Sequence, residues 1–177
     1  MYGSAKHVTQ LPKQDSFPKV TKVVPLTEEQ REAIKQSHKK LAESAAKYGN
    51  ELFIRLFSDF PDYKDIWPRF RALPDSSLVG SDQMRSHASV YMKGIETIVS
   101  KIDDDVALQE VLRKIASSHV RFNITKAHVE HMVPCLLEVL RLSNGSISDE
   151  TRAAWTRLYD NFGEILAQLS KERGIKR

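Results

Sequence analysis

The stretch "LRKIASSHVRFNI", residues 112–124, decides how the rest of the chain is read. Leu112, Ile115 and Ala116 recur at helical spacing and so share one face. His119 continues that face near the end of the helix. A titratable ring in line with apolar side chains is either a core histidine satisfied by a hydrogen bond or a ligand to something held in the core. The sequence on either side has to separate the two.

On the C-terminal side, Thr125 is placed to cap a further helix, with Val129, Met132, Val133, Leu136, Val139 and Leu140 inside it. Pro134 lacks an amide proton and is expected to kink that helix. "SNGSIS" reads as a turn, and Ser148 as the cap of a last helix carrying Trp155, Tyr159, Phe162, Ile165, Leu166 and Leu169 inward. On the N-terminal side, "DDD" at 103–105 separates this helix from a long one that opens at Ser81. Met84, Ala88, Tyr91, Met92, Ile95, Ile98, Val99 and Ile102 trace its apolar face, and His87 falls beside that face. "FRALPDSSLVG" before it reads as loop. "NELFIRLFSDF" carries a rich apolar face and stops at Pro61, which suits the first turn of a short helix, "PDYKDIW". Thr27 and Gln30 form a Thr-x-x-Gln capping box ahead of Ile34, Leu41 and Ala45. Residues 1–25 hold three prolines and no sustained period, so they are expected as a mobile extension. No segment alternates like a strand. The fold class is therefore all-α, with six long or medium helices and at least one short one.

Composition narrows the function. At 177 residues, 41% hydrophobic and 28% charged, the chain has the makeup of one soluble domain with a sizeable core. The net charge of +4 is spread and partly sits at the chain ends, with no basic stripe, so nucleic acid is not an expected partner. One cysteine, Cys135, allows no intrachain disulfide and sits among apolar neighbours, as a small hydrophobe does. No stretch reads as a secretory leader or a membrane span, and the cytoplasm is the expected location. HExxH, Cys-x-x-Cys, Gly-x-Ser-x-Gly and Gly-rich phosphate loops are all absent, which removes the usual zinc, hydrolase and nucleotide readings.

Of six histidines, His87 and His119 stand apart, each on or beside the apolar stripe of its own helix. A helix, an acidic turn and a second helix lie between them, so both rings could face one pocket. An apolar slot with one imidazole below a flat iron macrocycle, and optionally a second above it, has this form. Pattern alone leaves the bland reading open: two satisfied core histidines.

Further motifs agree in order and spacing. "YGNELFIRLFSDFPDYKDIWPRF", "QMRSHASVYM", "IASSHVRFNI" and "TRAAWTRLYDNF" together resemble the globin family over residues 26–170. The last of them is similar to the final helix of neuroglobin-like and invertebrate globins, and the overall pattern has a nematode-like look. The resemblance implies a globin fold around haem b (iron protoporphyrin IX), with residues 1–25 and 171–177 as flexible ends. It implies His119 as the proximal iron ligand and His87 at the distal position. It also implies that Ser118 orients the proximal ring or meets a propionate, and that Arg69 and Arg121 meet propionates. Ile115, Ile124, Val129, Met132 and Val133, with Val120, would line the proximal side and the macrocycle edge. Phe53 takes the distal-pocket place on the second helix, and Phe70 is the aromatic after the third. Two residues depart from the family pattern: Trp67 stands where the haem-wedging phenylalanine is usual, and Tyr91 where a small aliphatic is usual. Tyr91 could donate to a ligand, block its space or turn outward.

The resemblance implies one of two uses. With Phe53 offering no hydroxyl beside His87, the expectation is a bis-histidyl, hexacoordinate haem in electron transfer or in redox or gas sensing. The alternative is reversible O2 storage or transport at an open sixth site. Dedicated enzymatic turnover is not expected. Partners would be diatomic gases (O2, CO, NO) or a redox protein.

Overall fold

Thr27 opens the first helix as its sequence demands. Its side chain accepts from the Gln30 amide at 3.2 Å, and its own amide donates to Gln30 Oε1 at 3.2 Å. The computed structural model describes residues 22–174; residues 1–21 and 175–177, most of the two expected tails, lie outside the described residues. Eight α-helices follow in order: α1 (Glu28–Ala42), α2 (Ala45–Asp59), α3 (Pro68–Arg71), α4 (Asp75–Leu78), α5 (Asp82–Val99), α6 (Asp105–Val120), α7 (Lys126–Asn144) and α8 (Asp149–Glu172). A 3-10 turn, Pro61–Ile66, joins α2 to α3. No strand occurs among the described residues.

The caps match the sequence. Ser81 accepts from the Met84 amide, Asp104 from Val106 and Ala107, and Ser148 from Thr151. The stretch 70–80, expected as loop, instead holds the end of α3 and all of α4. Pro68 supplies a preset helical φ at the first turn of α3. The Ser77 and Leu78 amides find the Pro74 carbonyl at 2.9 and 3.1 Å. Pro134 lies within α7, which continues on both sides of it. The α8 helix extends two residues into the segment expected as a tail.

Segregation of apolar faces builds one core, centred on Leu52, Leu112, Leu136, Leu140 and Trp155. The buried Arg31, Ser37 and Asn161 are all hydrogen-bonded. Trp155 Nε1 donates to Ser37 Oγ at 2.9 Å, and Ser37 donates to the Ala33 carbonyl at 2.7 Å, tying α8 to α1. Arg31 is buried; it donates to the Ile102 carbonyl and to Asp105 at 2.7 Å, fixing the α5–α6 connection. Cys135 is buried as expected, and burial pushes its thiol up to about 11. The end of the expected N-terminal extension is ordered: the Val24 amide donates to Asn161 Oδ1 at 2.9 Å, and Asn161 Nδ2 returns a bond to the Val24 carbonyl at 2.8 Å.

Helices α2 and α5 cross closely at Gly49. A Cβ there would stand 2.9 Å from Met92 Cγ and 3.2 Å from Ala88 Cβ and its carbonyl oxygen. Part of the contact is backbone, so a branched side chain would have to push α5 aside. Gly49→Val is expected to cost about 1–3 kcal/mol, read as a lowered urea midpoint at unchanged slope.

Candidate functional site

Several residues on the predicted apolar faces are only half-buried: Tyr91, Ile98, Ile115, Met132, Tyr159 and Phe162. They are half-buried because they line an internal cavity of about 260 Å³. Its lining is overwhelmingly hydrocarbon and aromatic, drawn from α2, the 3-10 turn, α5, α6, α7 and α8.

His119 faces this cavity from the last turn of α6. Its Nδ1 lies 2.8 Å from the Ile115 carbonyl one turn back and donates to it. Ser118 Oγ stands 3.2 Å from the same nitrogen and itself donates to that carbonyl at 2.7 Å. With Nδ1 so engaged, the tautomer is set, and Nε2 is left with a lone pair for whatever occupies the cavity. The ring packs edge-on against Phe162 of α8, centroids 5.9 Å apart.

His87 faces the same cavity from α5. Three aromatic rings surround it: Phe53 at 4.8 Å, Trp67 at 5.0 Å and Phe70 at 5.8 Å between centroids, all steeply inclined. No hydrogen bond to His87 occurs among the described residues. Burial, together with the nearby His119, pushes its pKa down to about 4, so the ring is neutral at physiological pH. Tyr91, one turn further along α5, spends its hydroxyl on Tyr159 of α8, oxygen to oxygen 2.6 Å. Burial pushes both phenols up, and both stay protonated. Of the three roles open to Tyr91 in the sequence, the structure shows a fourth, a cross-cavity tie.

Ten of the fourteen residues singled out from the sequence meet at this cavity: Phe53, Trp67, His87, Tyr91, Ile115, Ser118, His119, Ile124, Val129 and Met132. Phe70 lies behind the wall, packed on Trp67, Phe57 and His87. Val133 is half-buried off the lining, and Arg69 is exposed. Arg121 is also exposed; it reaches the Ser118 carbonyl at 3.3 Å and lies over the Phe122 ring. The lining also includes Gly94, Ile95 and Ile98, which follow Tyr91 at helical spacing and were legible as a face though not as a site. Tyr63 and His128 line it too, and only tertiary packing of the 3-10 turn on α7 brings them there.

The residues present fit a flat apolar group carrying a metal. Two imidazole rings enter one hydrocarbon-walled space from separate helices, one of them held in register by a backbone carbonyl. A space of this chemistry inside an all-helical frame defines a haem-binding helical protein. A family model described as Globin matches residues 50–166, about two thirds of the chain, and the chain belongs to the globin family. Among its relatives, cytoglobin-1 of Oryzias latipes is 29% identical over 137 residues, 76% of this chain and 77% of that one. A globin of Nerita albicilla is 22% identical over 142 residues, 80% of this chain and 90% of that one. The fold is similar to that of the hexa-coordinate hemoglobin of Drosophila melanogaster, with TM-score 0.71 at 22% identity over 80% of this chain and 93% of that one.

The His87 environment sets an acid limit for the haem-free protein. Its folded pKa, about 4, lies below the ordinary value of 6.5, so between these values the unfolded chain binds the proton more tightly. Stability is full above about 6.5 and is lost as pH falls toward 4. The loss attributable to this ring reaches up to about 3 kcal/mol. Urea titrations of the haem-free protein between pH 7 and 4 should show a weaker acid loss in His87→Leu than in the parent.

Proposed function

We propose that the protein holds haem b between His119 and His87 as a bis-histidyl, hexacoordinate group, and that it acts in the cytoplasm in electron transfer or in redox or gas sensing. The observation that carries this reading is His87: a neutral imidazole in the cavity, caged by aromatic rings and without a hydrogen-bond partner among the described residues. A neutral nitrogen with no other use is a ready metal ligand. Similarity to the Drosophila melanogaster hexa-coordinate hemoglobin supports the same arrangement.

When bound, a haem would supply a one-electron iron centre, and His119 and His87 would hold it. The chain's own residues do the rest. The Ile115 carbonyl, with Ser118 beside it, fixes the His119 ring plane. Ile115, Ile124, Val129 and Met132 form the apolar proximal wall, with Val133 behind it. Phe53, Trp67 and Phe70 hold His87 and exclude water on the distal side. Arg69 and Arg121, both exposed, would meet the carboxylates of the macrocycle edge. Tyr91 is tied to Tyr159 across the cavity, and Phe53 has no hydroxyl to offer a gas molecule. A gas ligand therefore has to displace His87, which suits sensing and electron transfer better than carriage or turnover.

The test is the visible spectrum of the dithionite-reduced, haem-loaded protein before and after CO. Sharp, split α and β bands before CO are expected, and His87→Leu should convert them to one broad five-coordinate band. His119→Ala should bind haem weakly or not at all. A broad band in the parent protein would sink the hexacoordinate reading and make reversible O2 binding the function.

A further inference from the structure

Tyr63 and His131 form a pair for which the haem-ligand reading has no use. Tyr63, in the 3-10 turn, lines the cavity. Its hydroxyl lies 2.6 Å from His131 Nδ1 on α7, and in the tautomer that leaves Nδ1 unprotonated the phenol donates to it. His131 does not line the cavity and is half-exposed. It stacks flat on Phe60, centroids 4.1 Å apart and planes 8° from parallel. Tyr63 in turn packs on Phe60 at 5.0 Å and on His128, a cavity-lining ring, at 4.6 Å. Four rings thus run from the cavity wall toward the surface, with a hydrogen-bonded base at the outer end.

This geometry matters for oxidation. A phenol gives up an electron readily only if its proton leaves with it, and that needs a base within hydrogen-bond reach. His131 is such a base at 2.6 Å. The face of Phe60 beneath it favours the imidazolium that would form. The other cavity tyrosines lack this provision. Tyr91 and Tyr159 are bonded to each other, and a phenol oxygen is a far weaker base than an imidazole nitrogen.

We propose that Tyr63 is a redox-active tyrosine: when a peroxide oxidises the haem, Tyr63 yields one electron to it and passes its phenolic proton to His131 Nδ1. The inference rests on the reading that haem occupies the cavity. Hydrogen peroxide takes up two electrons, which brings both of its oxygens to the oxidation level of water, and two protons complete the two waters. The iron supplies one electron and Tyr63 the other, and the two protons come from solvent. The bond that breaks in the protein is the Tyr63 O–H, and the one that forms is N–H at His131. The oxidising equivalent ends on a ring that reaches the surface, where an external donor can meet it.

The experiment mixes the ferric, haem-loaded full chain with an equimolar amount of hydrogen peroxide, freezes it within seconds and records the electron paramagnetic resonance spectrum. A tyrosyl radical is expected, with most of it lost in Tyr63→Phe. In His131→Leu the yield should fall, and the largest g component of what is left should rise, because the proton beside the phenoxyl oxygen is gone. A packing role for His131 would not move that g value. Spin-trap labelling of the unsubstituted protein, mapped by mass spectrometry, should place the adduct on Tyr63. A radical undiminished in Tyr63→Phe, an adduct on Tyr91 or Tyr159, or no radical while the Soret band shows haem in place would each overturn the proposal alone. Absence of a Soret band from the loaded protein would overturn the haem reading, and this proposal with it.

Discussion

Helices α5 and α6 face each other across a space that neither is allowed to close. Side chains lining an apolar cavity of about 260 Å³ forgo the packing contacts that a closed core would give them when nothing fills it. Keeping it open requires walls that are fixed from behind. The crossing of α2 over α5 at Gly49, the indole of Trp155 on Ser37, and the buried Arg31 at the α5–α6 connection provide that fixing. Each lies away from the cavity, and each limits how far a wall helix can move inward.

The two imidazoles are held by different means. His119 is anchored by a carbonyl of its own helix, so its orientation follows from the backbone of α6. His87 has no such anchor and is positioned by ring contacts alone. Ring contacts are non-directional and tolerate small rotations, whereas a hydrogen bond to a helix carbonyl does not. One side of the pocket is rigid by construction and the other adjustable.

How much of this was readable from sequence depends on whether a feature lives on one helix. Thr27, Ser81 and Ser148 sit where their side chains reach amides three residues on, so local spacing sufficed, whereas Asp104 caps α6 from within a run read only as a break. The six long helices and the faces bearing His87 and His119 follow from the 3.6-residue period. Tyr91 could be placed on its face, but its partner Tyr159 lies 68 residues away on another helix, and no local pattern encodes that bond. Tyr63 and His128 escaped for the same reason. The short helices within 68–78 were read as loop because prolines there mark helix starts as readily as breaks. The pairing of His87 with His119 came from the ordered motifs of the family resemblance, since periodicity by itself favoured two unrelated core histidines.

Asn161 and Phe162 are consecutive residues of α8. The first clasps the backbone of Val24 through two hydrogen bonds, and the second rests its ring edge on His119. The attachment of the chain's leading segment and the support of the proximal ring are therefore mechanically in series, one residue apart on a stiff rod. The clasp on Val24 and the ring that supports His119 share a single turn of α8.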